Sequence, residues 1–157
     1  MKKLNDTIQS ILYYLLAFMI FLMTSIIVLQ VFFRYVVSSP LTWSEELARY
    51  LFVWITFLGI AVAIRKKAHV AIDLLVDHLP NAQQKIVRII NTVMVIVLGV
   101  VIVYGGVQLM NIGQVQRSAT LLLPMSLVFS AIPVSGVFIV LFSVEDLLSL
   151  IPSGGKK

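Results

Sequence analysis

The 157-residue chain is 60% hydrophobic and 12% charged, with a mean hydropathy of +1.03, which excludes an ordinary soluble globular domain. Its formal charge of +5 comes from Lys and Arg residues at the ends of apolar runs rather than on one face, so membrane orientation accounts for it and nucleic-acid binding does not. The absence of cysteine excludes disulfides, thiolate metal sites and cysteine nucleophiles.

Residues 7–33, 50–64, 89–116 and 118–144 contain no Asp, Glu, Lys, Arg or His. A bilayer core of about 30 Å needs roughly 20 helical residues, so these runs predict four transmembrane helices. Helices are expected rather than barrel strands because the runs lack strict alternation, and hydrocarbon offers the backbone no water. The first span is expected over about 8–33. Lys2 and Lys3 before it give a signal-like start, but the run is too long for a signal core and has no small-x-small cleavage pattern, so the helix is expected to be retained.

The second span is expected over about 43–64. Its charge-free run has only 15 residues and reaches spanning length when the turn carrying Glu45, Glu46 and Arg49 sits at headgroup depth. Pro40 and the T-W-S-E sequence from Thr42 predict a helix start capped by Thr42 and Glu45. A short amphipathic interfacial helix is expected over about 68–79, where Lys66, His69, Asp73 and Asp77 recur three or four apart and Pro80 ends the pattern. The third span follows over about 86–111. The fourth, about 124–148, opens at Pro124 and is expected to kink at Pro133. The expected fold is therefore an all-α integral membrane protein, one membrane domain over 1–157.

Counting bases on alternate sides orients it. Lys2, Lys3, Arg65, Lys66, Lys67, Lys85, Arg88, Lys156 and Lys157 share one side, against Arg34, Arg49 and Arg117 on the other. The richer side marks the cytoplasm, which places both termini inside and two short connections outside.

No charge falls at a span centre, which argues against a self-sufficient ion-coupled carrier. Gln30, Thr56, Asn91, Thr92, Gln108, Ser130 and Ser135 are expected to make contacts between helices. His69 and His78 lie in the interfacial segment on different helical faces, so neither haem nor metal binding is expected, and no cofactor is. No nucleophile stands beside a base in a recognisable context, so no catalytic site is expected.

Glu45 and Glu46 lie four and three residues before Arg49, which predicts a local ion pair. The alternative is that one carboxylate meets Arg34 across the first two spans, or a partner at the outer rim. Trp43, Tyr50 and Trp54 are candidate anchors at the bilayer interface or at a partner. Arg65, Lys66, Lys67, Lys85 and Arg88 form an inner basic belt suited to phospholipid headgroups. His69 and Asp73 are expected to pair locally.

The chain resembles the small membrane subunits, of DctQ type, of tripartite ATP-independent periplasmic (TRAP) transporters. The resemblance rests on R-Y at Arg34, W-S-E-E-L-A-R-Y from Trp43, V-W-I-T-F-L-G from Val53, A-H-V-A-I-D from Ala68, and the L-P and I-P pairs at Pro80, Pro124 and Pro133. It implies a multi-pass protein of the bacterial inner membrane. It also implies a large multi-span membrane subunit and a periplasmic substrate-binding protein as partners, and sodium-coupled import of an organic acid such as sialic acid or a C4-dicarboxylate. The small subunit would act as a scaffold that binds no substrate. The competing readings are an autonomous four-helix exporter, disfavoured because residues 7–33 contain no acid, and a membrane anchor for a respiratory complex.

Overall fold

The computed structural model describes residues 2–66 and 81–150. The expected interfacial helix over 68–79, with Lys67, His69, Asp73 and His78, lies outside the described residues. Five helices are described: α1 (Lys2–Tyr35), α2 (Thr42–Arg65), α3 (Asn81–Gly113), α4 (Ser126–Phe129) and α5 (Ala131–Leu150). Four segments are long and apolar enough to cross a membrane: Asn5–Tyr35, Thr42–Arg65, Gln83–Gly113 and Ser126–Leu150. At 1.5 Å per residue α1 and α3 reach about 50 Å, well beyond the hydrocarbon thickness, and α2 about 36 Å.

The helices form a row rather than a closed bundle. α1 packs on α2, α2 on α5 and α5 on α3, with no comparable packing of α1 on α3. The principal core lies between α1, α2 and α5, where Leu12, Leu16, Leu58, Val62 and Phe142 are buried and Trp54 and Phe138 pack around them. The α3–α5 contact has a different basis. Gly99, Gly106 and Gly113 recur every seven residues and bring one face of α3 against the last span. A Cβ on Gly106 would lie 2.6 Å from Pro133 Cδ, and one on Gly136 would lie 3.0 Å from the Gly99 carbonyl oxygen. Only glycine permits backbones this close.

Three local expectations are revised. Thr42 does not cap α2: it is already helical, Leu41 holds the N-cap position with extended backbone, and no side chain caps it. Ser44, fully buried, donates instead to the Leu41 carbonyl at 2.7 Å. The last span is not a single kinked helix from Pro124 but two helices that meet at Ser130. Pro133 then falls in the first turn of α5, where a missing N–H costs least. Thr56, Ser130 and Ser135 donate their hydroxyl protons to carbonyls of their own segment, three or four residues back, rather than across helices, although Ser135 is fully buried. Thr92 does bridge, with its hydroxyl 2.9 Å from the Arg88 carbonyl and 3.3 Å from Asp146 Oδ2 on α5.

Candidate functional site

Polar side chains gather at the two ends of the row. At the distal end, where α1 and α3 finish and α2 begins, residues 114–125 form a hairpin. Arg117 and Pro124 form an isolated antiparallel bridge, the Ser118 N–H donates to the Leu123 carbonyl at 2.9 Å, and the Met125 N–H donates to the Gln116 carbonyl at 2.9 Å. The hairpin is fastened to α2 by one carboxylate. Glu46 Oε2 accepts the backbone N–H groups of Thr120 at 3.0 Å and Leu121 at 2.9 Å, while Oε1 accepts the Tyr50 hydroxyl proton. The Tyr50 oxygen also lies 3.5 Å from Met125 Sδ.

The adjacent acids thus have different roles. Glu45 pairs with Arg49 at 3.0 Å along the helix surface, both side chains being mostly exposed. An exposed pair of this kind contributes about 0.3–0.5 kcal/mol. Successive helical residues point about 100° apart, which is why Glu45 faces solvent and Glu46 faces the hairpin. Arg34 is exposed and lies 5.7 Å over the Tyr35 ring; no ion pair joins it to Glu45 or Glu46 among the described residues. Trp43 is exposed, whereas Trp54 is half-buried against the α1–α2–α5 core.

At the proximal end, Arg65 closes α2 and points into the row. Its Nη1 donates to Glu145 Oε2 at 2.5 Å and its Nη2 to Asp6 Oδ1 at 2.7 Å. The Asn5 amide donates to Glu145 Oε2, the same oxygen that accepts from Arg65 Nη1, and the guanidinium lies 5.4 Å over the Phe142 ring. One arginine thereby ties α1, α2 and α5 together.

Sequence reasoning assigned Arg65 to a headgroup-facing belt, whereas the structure places it among carboxylates with its side chain only 14% exposed. Of the other belt residues, Lys66 is exposed with Nζ 4.8 Å over the Tyr13 ring, Lys85 is exposed, and Arg88 is half-buried on α3. Asn5, Asp6 and Glu145 were missed. A usable signal existed: an acid directly after the fourth apolar run and a base directly after the second fall at the same membrane level.

In each cluster the carboxylates that tie helices together are engaged by donors of the chain itself. Among the described residues no three His, Asp or Glu side chains are grouped to hold a metal ion. The fold and its polar clusters define a multi-pass helical membrane protein whose charged side chains fasten its own elements. The chain belongs to the DctQ component family of tripartite ATP-independent periplasmic transporters, whose family model matches residues 23–153. That family comprises transporter subunits, not enzymes.

Among its relatives is a TRAP transporter small permease protein of Haemophilus influenzae, 31% identical over 90% of this chain and 87% of the relative. The small permease protein SiaQ of a sialic acid TRAP transporter of Vibrio cholerae is 31% identical over 77% of this chain and 70% of its own length. The sialic acid TRAP transporter permease protein SiaT of Haemophilus influenzae is 36% identical over 69% of this chain, yet the match spans only 18% of that much longer protein.

Proposed function

We propose that this chain is the small permease subunit of a TRAP transporter in the bacterial inner membrane and acts as a scaffold beside a large multi-span permease. The proximal end faces the cytoplasm and the distal hairpin faces the periplasm, in accord with the distribution of Lys and Arg. The large permease carries an organic acid inward with sodium after a periplasmic substrate-binding protein delivers it. The small subunit binds neither substrate nor sodium. Lys66, Lys85 and Arg88, with Lys67, meet phospholipid headgroups on the cytoplasmic side.

The observation that carries the scaffold reading is the use of the helix-tying carboxylates. Glu46 holds a hairpin and Glu145 holds Arg65, while no acid or base stands at the centre of a span. Support for a large permease partner comes from SiaT, in which a segment similar to this chain is part of a longer permease.

The test is a mild-detergent pull-down of the tagged chain from native membranes, followed by mass spectrometry and by sodium-dependent uptake in proteoliposomes. The expected result is near-equal recovery of a large multi-span permease and uptake only when both chains are present. Recovery of the chain alone as a homo-oligomer that moves cargo would overturn the reading.

A further inference from the structure

We propose that the hairpin 114–125 is seated in the lipid leaflet at the distal end of the row, with Leu122 and Val115 among acyl chains and Arg117 against phospholipid phosphate. The inference rests on the depth of the hairpin and on its backbone hydrogen bonds, and it holds whichever protein the chain assembles with.

Glu46, which anchors the hairpin, and Arg65, which closes the proximal network, stand nineteen residues apart on one helix. That is a rise of about 28 Å at 1.5 Å per residue, against a hydrocarbon thickness of about 30 Å. The hairpin is therefore held at the edge of the hydrocarbon rather than out in water beyond it. The first helix agrees. Asp6 pairs with Arg65, so α1 reaches the level of Glu46 near Ser25 and continues ten residues further, to Tyr35. Val28, Val31 and Phe32 are exposed on that continuation. An apolar helix surface that runs on past the hairpin marks lipid as the medium at the hairpin's depth.

Irregular backbone survives at lipid depth only where its polar groups find partners within the protein. The Ser118 N–H donates to the Leu123 carbonyl, the Leu123 N–H to Ser118 Oγ at 3.2 Å, and the Met125 N–H to the Gln116 carbonyl. Thr120 and Leu121 donate to Glu46 Oε2, and Pro124 has no N–H to satisfy. One carboxylate spent on two adjacent loop amides is what a loop without access to water requires.

The outward side chains match that medium. Leu122 has φ 54°, a backbone region that a branched apolar residue rarely adopts, and is 64% exposed. The bonds on either side of it hold this conformation and turn the leucine outward. Val115, 90% exposed, extends the apolar surface of the same segment. Arg117 is exposed, lies with Nη1 3.4 Å from the Leu122 carbonyl, and meets no carboxylate among the described residues. An arginine beside outward apolar side chains at a hydrocarbon edge directs its remaining donors to phosphate. The neighbouring acids are already engaged, Glu45 by Arg49 and Glu46 by the hairpin.

The experiment uses the full-length chain, which has no cysteine of its own, in phosphatidylcholine nanodiscs. Leu122→Cys and Val115→Cys each carry one nitroxide. Val97→Cys, exposed midway along α3, is the lipid reference, and Gln83→Cys, exposed near the start of α3, is the water reference. Oxygen concentrates in hydrocarbon and a polar nickel chelate is excluded from it, so the ratio of their collision rates reads depth. The ratio at Leu122 and Val115 is expected to lie about threefold or more above that at Gln83, toward that at Val97. Val115, whose backbone is ordinary, decides the matter if a label at Leu122 disturbs the turn. A ratio equal to that at Gln83 places the hairpin in water and overturns the inference. Low collision rates with both reagents mean a protein cover and overturn it equally. Neither result touches the subunit reading.

Arg117→Glu in the Leu122→Cys chain is expected to lower the ratio toward that of Gln83, because a carboxylate is repelled by phosphate, whereas Arg117→Lys keeps it. An unchanged ratio in Arg117→Glu overturns the phosphate contact.

Discussion

Arg65 and Glu145 lie 80 residues apart in sequence and meet at 2.5 Å where the second and last spans finish. Both side chains are largely withdrawn from solvent, and Asp6 and Asn5 from the first helix complete the network. The pair therefore fixes which ends of three helices lie level. Below it, Leu12, Leu58 and Phe142 supply apolar contact that is compatible with small sliding motions; the charged network is not.

Removing Arg65 leaves Glu145 largely withdrawn from solvent without a counter-charge, whereas removing Glu145 leaves Arg65 its second partner, the more exposed Asp6. Arg65→Met is expected to destabilise the isolated chain by about 3–5 kcal/mol, and Glu145→Leu by less. Replacing both partners with apolar residues of similar size, Arg65→Met with Glu145→Leu, is expected to be much less damaging than either single change. Thermal unfolding midpoints in detergent for the four members of the cycle check this. Additive single effects would show that the contact contributes no coupling.

Adjacent glycines on α3 are expected to respond in opposite directions. Gly106→Ala places a methyl group 2.6 Å from Pro133 Cδ and 2.7 Å from its backbone nitrogen, neither of which can move without shifting α5. A loss of about 1–3 kcal/mol is expected. Gly105→Ala meets nothing within 4 Å and gains helix propensity, so the midpoint should hold or rise slightly. Equal effects at the two positions would contradict the close α3–α5 approach.

The two tryptophans separate in the same way. Trp54 packs on the core of Leu12, Leu16, Leu58, Val62 and Phe142, so Trp54→Ala should cost about 2 kcal/mol in the isolated chain. Trp43 is exposed at the distal end, and Trp43→Ala should leave the isolated fold intact. Any effect of Trp43→Ala on recovery of the large permease would then report assembly alone. The unfolding midpoint of the chain and the permease yield in pull-downs distinguish these contributions.

The four spans were legible because each is a run free of charge, and the Glu45–Arg49 pair because a four-residue helical spacing encodes it. The partners of Glu46 were not. They are backbone amides 74 and 75 residues away, and a backbone amide carries no side-chain signature in sequence. The Arg65–Glu145 pair was hidden because positive-inside counting treats basic residues as a belt and gives acids no weight. The glycine repeat at 99, 106 and 113 was present to be read, but only the close approach of α5 shows that this face is covered. The break at Ser130 followed from Pro133 in kind, though the proline falls inside the new helix rather than at the bend.

Glu46 offers the sharpest test of the distal arrangement, because its carboxylate serves the hairpin and Tyr50 together. Glu46→Ala removes both acceptors and should release the amides of Thr120 and Leu121, so that their hydrogen exchange accelerates by about tenfold or more while α1 and α5 remain protected. Glu46→Gln keeps one carbonyl oxygen and adds donors, so it should restore part of the amide protection. Tyr50→Phe leaves both amide bonds in place and should affect the hairpin least. The expected order of exchange at Thr120 and Leu121 is therefore Ala fastest, then Gln, then Phe, with the native chain slowest. Exchange in Glu46→Ala no faster than in the native chain would mean that the hairpin is held by its own backbone bonds, Ser118 to Leu123 and Met125 to Gln116, and that the carboxylate is dispensable to it.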